Sequence, residues 1–151
     1  MKMTKRQFMA AGAASAVAAV LGLPIAEVHA LANETNDRIN RFTGGKKPVA
    51  GKLEITIPEI AENGNSVPIT VDVESPMEAD NYVEAVLIVA DGNPLPGVAT
   101  FRFTPMSGEA TAMTRIRLAQ TQNVIAIAKM SDGSMHMDKK QVKVTIGGCG
   151  G

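Results

Sequence analysis

The chain has 151 residues, with 15 basic and 15 acidic side chains, so its formal net charge is zero at pH 7. It has no tryptophan, one tyrosine and four phenylalanines. Without a basic excess or stacking aromatics it lacks the means to bind nucleic acid. Its single cysteine excludes an internal disulfide. In an oxidising compartment a lone cysteine is either a reactive thiol or half of an intermolecular pair.

Residues 1–30 read as an export leader. Lys2, Lys5 and Arg6 make a basic start, about 15 uncharged residues follow, and small side chains gather at Ala26, Ala30 and Ala32. The uncharged run is shorter than the roughly 20 residues a bilayer-spanning helix requires, so stable membrane insertion is not expected. Thr4-Lys5-Arg6-Gln7-Phe8-Met9 resembles a twin-arginine export signal, with Lys5 in place of the first arginine. Periplasmic export by that route is expected, with ordinary Sec export as the alternative. Cleavage after Ala30 or Ala32 suits the small-residue requirement. Removing the leader takes away three basic residues and one acidic, leaving a net charge of about −2.

The remaining residues, about 120 in number, suit one domain. A short amphipathic helix is expected over residues 27–42, with Leu31, Ile39 and Phe42 apolar and Gly44-Gly45 as its stop. With a loop around Pro48, residues 31–51 form a helix and linker. From Lys52 the apolar period becomes two: Leu53, Ile55 and Ile57, then Val67, Ile69, Val71 and Val73 after the turn Glu62-Asn63-Gly64-Asn65. Residues 83–90 are apolar on both faces apart from Glu84 and predict a central strand. Asn93-Pro94-Leu95-Pro96-Gly97 is a rigid turn. Further strands are expected over residues 98–104, 114–118, 123–130, 134–139 and 141–146, with Asp132-Gly133 as a hairpin signal. Seven to eight short strands over residues 52–146 predict an all-β, Ig-like or fibronectin-like sandwich, without the cysteine pair and tryptophan of antibody domains.

Five residues follow Ile146: Gly147, Gly148, Cys149, Gly150 and Gly151. Glycine has the widest backbone freedom and no side chain to pack, so residues 147–151 read as a flexible arm. Its cysteine could stand about 10 Å beyond the last strand when extended. A tethered intermediate does not diffuse away, and successive enzymes meet it at high effective concentration. A thiol suits sulfur transfer, because its thiolate attacks sulfur and the S–S bonds formed can be cleaved again. With an ordinary pKa near 8.5 the thiol is only a few per cent ionised at neutral pH, so activation is expected from a partner.

The ending Val142-Lys143-Val144-Thr145-Ile146-Gly147-Gly148-Cys149-Gly150-Gly151 resembles the SoxY family, substrate-carrying subunits of bacterial sulfur oxidation. The likeness extends through Phe42-Thr43-Gly44-Gly45, residues 57–67, Ser75-Pro76-Met77, and residues 98–105, 114–118 and 130–134. It implies covalent attachment of substrate at Cys149, with no cofactor and no catalytic constellation of the chain's own. It implies pairing with a SoxZ-like subunit as a heterodimer. It also implies three enzymes acting on the arm: a c-type cytochrome that couples thiosulfate, a sulfate-releasing hydrolase and a sulfur dehydrogenase. The intermediates implied are an S-thiosulfonate, a persulfide and its oxidised forms.

Other chemistry-bearing residues read as structural. Met135 and Met137 share one strand face while His136 points to the other, which breaks a copper chelate. Arg115 and Arg117 read as the wet face of a half-buried strand. No metal-ligand spacing or phosphate loop appears. The competing reading is a secreted sandwich module whose Cys149 forms an intermolecular disulfide. A third, an enzyme with Cys149 as nucleophile, lacks a base or oxyanion donors in the spacing.

Overall fold

The computed structural model describes residues 25–148, with side chains from residue 32. It opens with helix α1 (Ile25–Thr43), longer than expected and running across the anticipated cleavage point. The helix stops where it should. Gly44 and Gly45 take φ of +63° and +83°, and the Gly45 N–H donates to the Asn40 carbonyl at 3.2 Å. That left-handed conformation carries a steric penalty for any residue with a Cβ.

Among the described residues nine strands follow: β1 (Val49–Ala50), β2 (Leu53–Thr56), β3 (Ile60–Ala61), β4 (Val67–Val73), β5 (Val83–Ala90), β6 (Gly97–Arg102), β7 (Ala110–Ile116), β8 (Gln122–Met130) and β9 (Met135–Val144). Seven have four or more residues, and each overlaps a strand expected from the sequence, although β7 begins earlier and ends sooner than the expected 114–118. The two-residue strands β1 and β3 lie too close to prolines to show a period. The two strands expected over residues 134–139 and 141–146 are one strand, β9.

The larger sheet runs β1-β9-β8-β5-β6, with β3 also paired to β9, and the smaller runs β2-β4-β7. Antiparallel pairing dominates; only β1 and β3 run parallel to β9. The expected all-β, Ig-like sandwich is what the chain forms.

Packing explains the composition of the central strands. Between the sheets lie Ile55, Ile69 and Val71 from one side and Val86, Ile88, Val124 and Ala126 from the other. The opposite faces of β5 and β8 carry Leu87, Val89, Ile125 and Ile127, which α1 covers with Ile39 and Phe42. Both strands are therefore buried on both faces and cannot alternate. Glu84 falls where the β5–β8 register shifts, between Val83 and Ala85, and pairs with Lys129 at 2.8 Å. The sheets are tied at one edge by the Ile55 N–H, which donates to Asp138 Oδ2 at 2.9 Å.

At the β8–β9 turn, bonds from the Ser134 hydroxyl and then the Ser134 N–H hold the exposed Asp132 carboxyl below its ordinary pKa. This contribution is present above the unfolded-state value and is lost as pH falls through the lowered one. Among the described residues no helix is long and apolar enough to cross a membrane.

Ile88 is fully buried between the sheets. Ile88→Ala is expected to cost about 2–5 kcal/mol, read as a lower urea midpoint at unchanged slope.

Candidate functional site: the root of the carboxyl-terminal arm

Beyond Val144 the chain leaves the sheet but not the fold. On one side it follows residues 59–64. Lys143 N–H donates to the Glu59 carbonyl at 2.8 Å, Thr145 N–H to Ala61 at 3.0 Å, and the Thr145 hydroxyl to Glu62 at 2.9 Å. The Gly64 N–H then donates to the Ile146 carbonyl at 2.7 Å. On the other side stands the loop joining β7 to β8. Val144 N–H donates to Thr121 Oγ1 at 3.0 Å, and the Gly148 N–H donates to the Leu118 carbonyl at 2.9 Å. The two flanks are joined to each other as well, Leu118 N–H donating to the Gly64 carbonyl at 2.8 Å. The tail therefore leaves through a notch whose walls and contents are bonded backbone to backbone.

The β7–β8 loop has its own support. Asn93 is buried at 2% exposure and uses both ends of its amide. Its Nδ2 donates to the Arg117 carbonyl at 2.8 Å, and its Oδ1 accepts from Ala119 N–H and Gln122 Nε2, each at 2.9 Å. Gln122, also buried, accepts the Gly92 N–H at 2.7 Å and donates to the Gln120 carbonyl at 3.1 Å. Two buried amides thus fix the residues on either side of Leu118, whose carbonyl receives the Gly148 N–H. Fully bonded polar groups of this kind specify one loop conformation, since alternatives leave them unpaired.

Cys149, Gly150 and Gly151 lie outside the described residues. Gly147 and Gly148 are described, and they revise the expectation of an arm free from residue 147. Their backbone is seated in the notch, and Ile146 before them is largely exposed at 68%. Sequence reasoning missed Gly64, Leu118, Asn93 and Gln122. Gly64 sits in a four-residue turn and Asn93 in a proline-rich one, and turn composition gave no sign of a distant partner.

The residues set aside earlier fall as read. Met137 packs against the Leu87, Val89, Ile125 and Ile127 cluster, His136 occupies the other side of β9, and Arg115 is exposed with a 3.3 Å bond to Ser66 Oγ. Among the described residues no three His, Cys, Asp or Glu side chains gather as a metal site. An open groove of about 660 Å³ between β2 and β9 is lined by Lys139, Lys140 and Lys143 together with Glu54 and Glu59, a mixture that favours neither sign of ligand.

Comparison with known proteins decides the family. The model of the sulfur oxidation protein SoxY matches residues 39–149, from the last turns of α1 to the cysteine itself. This chain belongs to the SoxY family. The resemblance read in its sequence is borne out. A solved SoxY, the sulfur carrier protein from Chlorobium limicola f thiosulfatophilum, is 31% identical over 76% of this chain and 99% of its own, with a TM-score of 0.62. Superoxide reductases share the fold alone. That of Ignicoccus hospitalis is 19% identical over 62% of this chain and 80% of its own, TM-score 0.56. That of Nanoarchaeum equitans is 17% identical over 64% and 100%, TM-score 0.54. No curated protein matches at a significant level.

In this SoxY-family chain Asn93 supports the notch without touching the tail. Asn93→Ala is expected to destabilise the fold by about 1–3 kcal/mol by leaving buried groups unpaired. Amide hydrogen exchange should accelerate at Ala119 before it does in β5.

Proposed function

We propose that this chain is a sulfur carrier, holding pathway sulfur covalently on Cys149 and presenting it to other enzymes. One observation carries the reading: the family match ends on Cys149, the residue after Gly148, whose N–H is bonded to the Leu118 carbonyl. The solved relative named as a sulfur carrier supports it, aligning over nearly all of its own length.

The chemistry begins at the thiol. Thiosulfate couples to Cys149 to give the S-thiosulfonate, with loss of one proton and two electrons, and a c-type cytochrome partner accepts the electrons. Water then cleaves the bond between the outer two sulfurs. Sulfate leaves with the oxygen of water, and a persulfide remains on Cys149. A sulfur dehydrogenase would oxidise that terminal sulfur while the cysteine sulfur stays in place. The chain supplies attachment and delivery, and its partners supply catalysis, so it acts without a cofactor and is not itself an enzyme. Assembly with a SoxZ-like subunit and export to the periplasm by the twin-arginine route complete the reading. The leader motif supports export before the thiol is loaded.

Intact-mass spectrometry of the protein from cells oxidising thiosulfate should show mass added at Cys149 and removed by reductant. Cys149→Ser should reduce thiosulfate-dependent turnover in a reconstituted pathway to background. Full activity of that variant would overturn the reading. A stable disulfide-linked dimer as the functional state, inactivated by reductant, would replace it with the secreted-module alternative.

A further inference from the structure

Residues 62–65, the turn that forms one wall of the notch, contain the chain's single Asn-Gly step, Asn63-Gly64. In such a step the backbone nitrogen after asparagine can attack the side-chain carboxamide, because glycine puts no side chain in the way. The turn both favours and restrains this reaction. Asn63 is exposed, and its Oδ1 accepts the Asn65 N–H at 2.9 Å. That bond closes an Asx turn, which folds the carboxamide back over the Gly64 peptide and polarises its carbonyl carbon. The nucleophile, by contrast, is held. Gly64 is buried, and its N–H donates to the Ile146 carbonyl at 2.7 Å. Its own carbonyl accepts the Leu118 N–H at 2.8 Å. A Cβ on Gly64 would stand 2.1 Å from the Leu118 carbonyl oxygen and 2.7 Å from the Gly148 nitrogen, so packing alone demands glycine there. The reactive step cannot be removed at Gly64 without losing the notch, and the fold restrains it by hydrogen bonding. The two Asp-Gly steps differ. Asp91 spends both carboxylate oxygens on Asn123, Asp132 Oδ1 accepts the Ser134 N–H, and a carboxylate is a poor electrophile.

We propose that Asn63 is a modification site, deamidated by the Gly64 nitrogen at a rate set by how often the chain beyond β9 parts from that nitrogen. When the bond to Ile146 opens, the Gly64 nitrogen gives up its proton and bonds to Asn63 Cγ. The Cγ–Nδ2 bond breaks, and the side-chain amide leaves with that proton as ammonia. Water then opens the cyclic imide at one carbonyl or the other, giving aspartate or isoaspartate. No electrons are transferred, and water is the only co-reactant. Both products place a new negative charge beside Glu62. Isoaspartate also adds a main-chain carbon just before Gly64. Gly64 then no longer meets Leu118 and Ile146 in register, so the modified turn releases the segment that had protected it. Asn63 thus records how long the notch has stood open, and the isoaspartyl product keeps it open.

The test follows deamidation at Asn63 by peptide mapping in mildly alkaline buffer, alongside amide hydrogen exchange. Wild type is held in urea from zero to beyond its unfolding midpoint. Native protein should deamidate more slowly than the unfolded chain by about tenfold or more, as expected where one backbone bond must open first. Below the midpoint the rate should follow exchange of the Gly64 amide, and not the slower exchange of β5 and β8. Thr145→Val removes the 2.9 Å bond from the Thr145 hydroxyl to the Glu62 carbonyl while keeping the shape of the side chain. It should speed both Gly64 exchange and deamidation by about threefold or more, with β5 and β8 still protected. Asn63→Ser keeps an oxygen for the Asn65 N–H but has no carboxamide, and should show no conversion. The isoaspartyl form, separated by chromatography, should have an unprotected Gly64 amide. Native deamidation as fast as that of the unfolded chain, or as slow as global unfolding allows, would overturn the proposal. So would faster Gly64 exchange in Thr145→Val with an unchanged rate at Asn63. If that variant keeps wild-type exchange, the urea series in wild type decides alone.

Discussion

The outer edge of β9 is the constraint on which the site depends. One side of this strand is satisfied along its length by β8, and the other would present unpaired backbone groups, a template for association with other chains. The fold closes that side with two short parallel segments, β1 at the beginning and β3 near the end. The second of these matters most. Its pairing continues past the sheet through Thr145 to Gly64, so the device that closes the edge also guides the tail into the notch. A sheet left open here would have released the chain at Val144.

The notch is rigid because each wall is held from behind. Residues 59–64 are held by β9 itself. The loop at residues 117–121 is held by Asn93 and Gln122, which reach it from the neighbouring turn and from the start of β8. Behind these lie β5 and β8, buried on both faces by the small sheet and by α1. A perturbation deep in the sandwich is therefore felt as stability, whereas one at Asn93 is felt first in the loop that receives the tail.

How much of this was legible in the sequence follows from the range of each signal. Apolar patterning is local, and it located the longer strands; period-two alternation marked such strands as β4, and the continuous apolar run at Val83 to Ala90 announced a strand covered on both sides. The Gly44-Gly45 stop was equally local. The cysteine between paired glycines pointed to a working end at Cys149, and the family match extends to that residue. What stayed hidden was pairing at a distance. Nothing near Gly64 says that it meets Leu118 and Gly148, because the reason for glycine there is a neighbour from another part of the chain. Asn93 looked like turn chemistry for the same reason, since a buried amide and an exposed one read alike. The break assumed inside β9 came from Lys139, Lys140 and Gln141, which are exposed along one continuous strand.

Gly147 and Gly148 are best understood by what stands next to them. Freedom of the backbone is glycine's property in solution, but against another backbone the same missing Cβ permits an approach no other residue can make. Gly147 and Gly148 are used in the second way, in partnership with Gly64. A carrier has two opposed needs: the attached group must be presented, and it must be presented at the same place to each enzyme in turn. Length serves the first and fastening serves the second, because every added free residue widens the volume over which the thiol is spread and lowers its effective concentration at any one site. Seating Gly147 and Gly148 in the notch uses their missing Cβ atoms for close approach to Ala119 and Gly64.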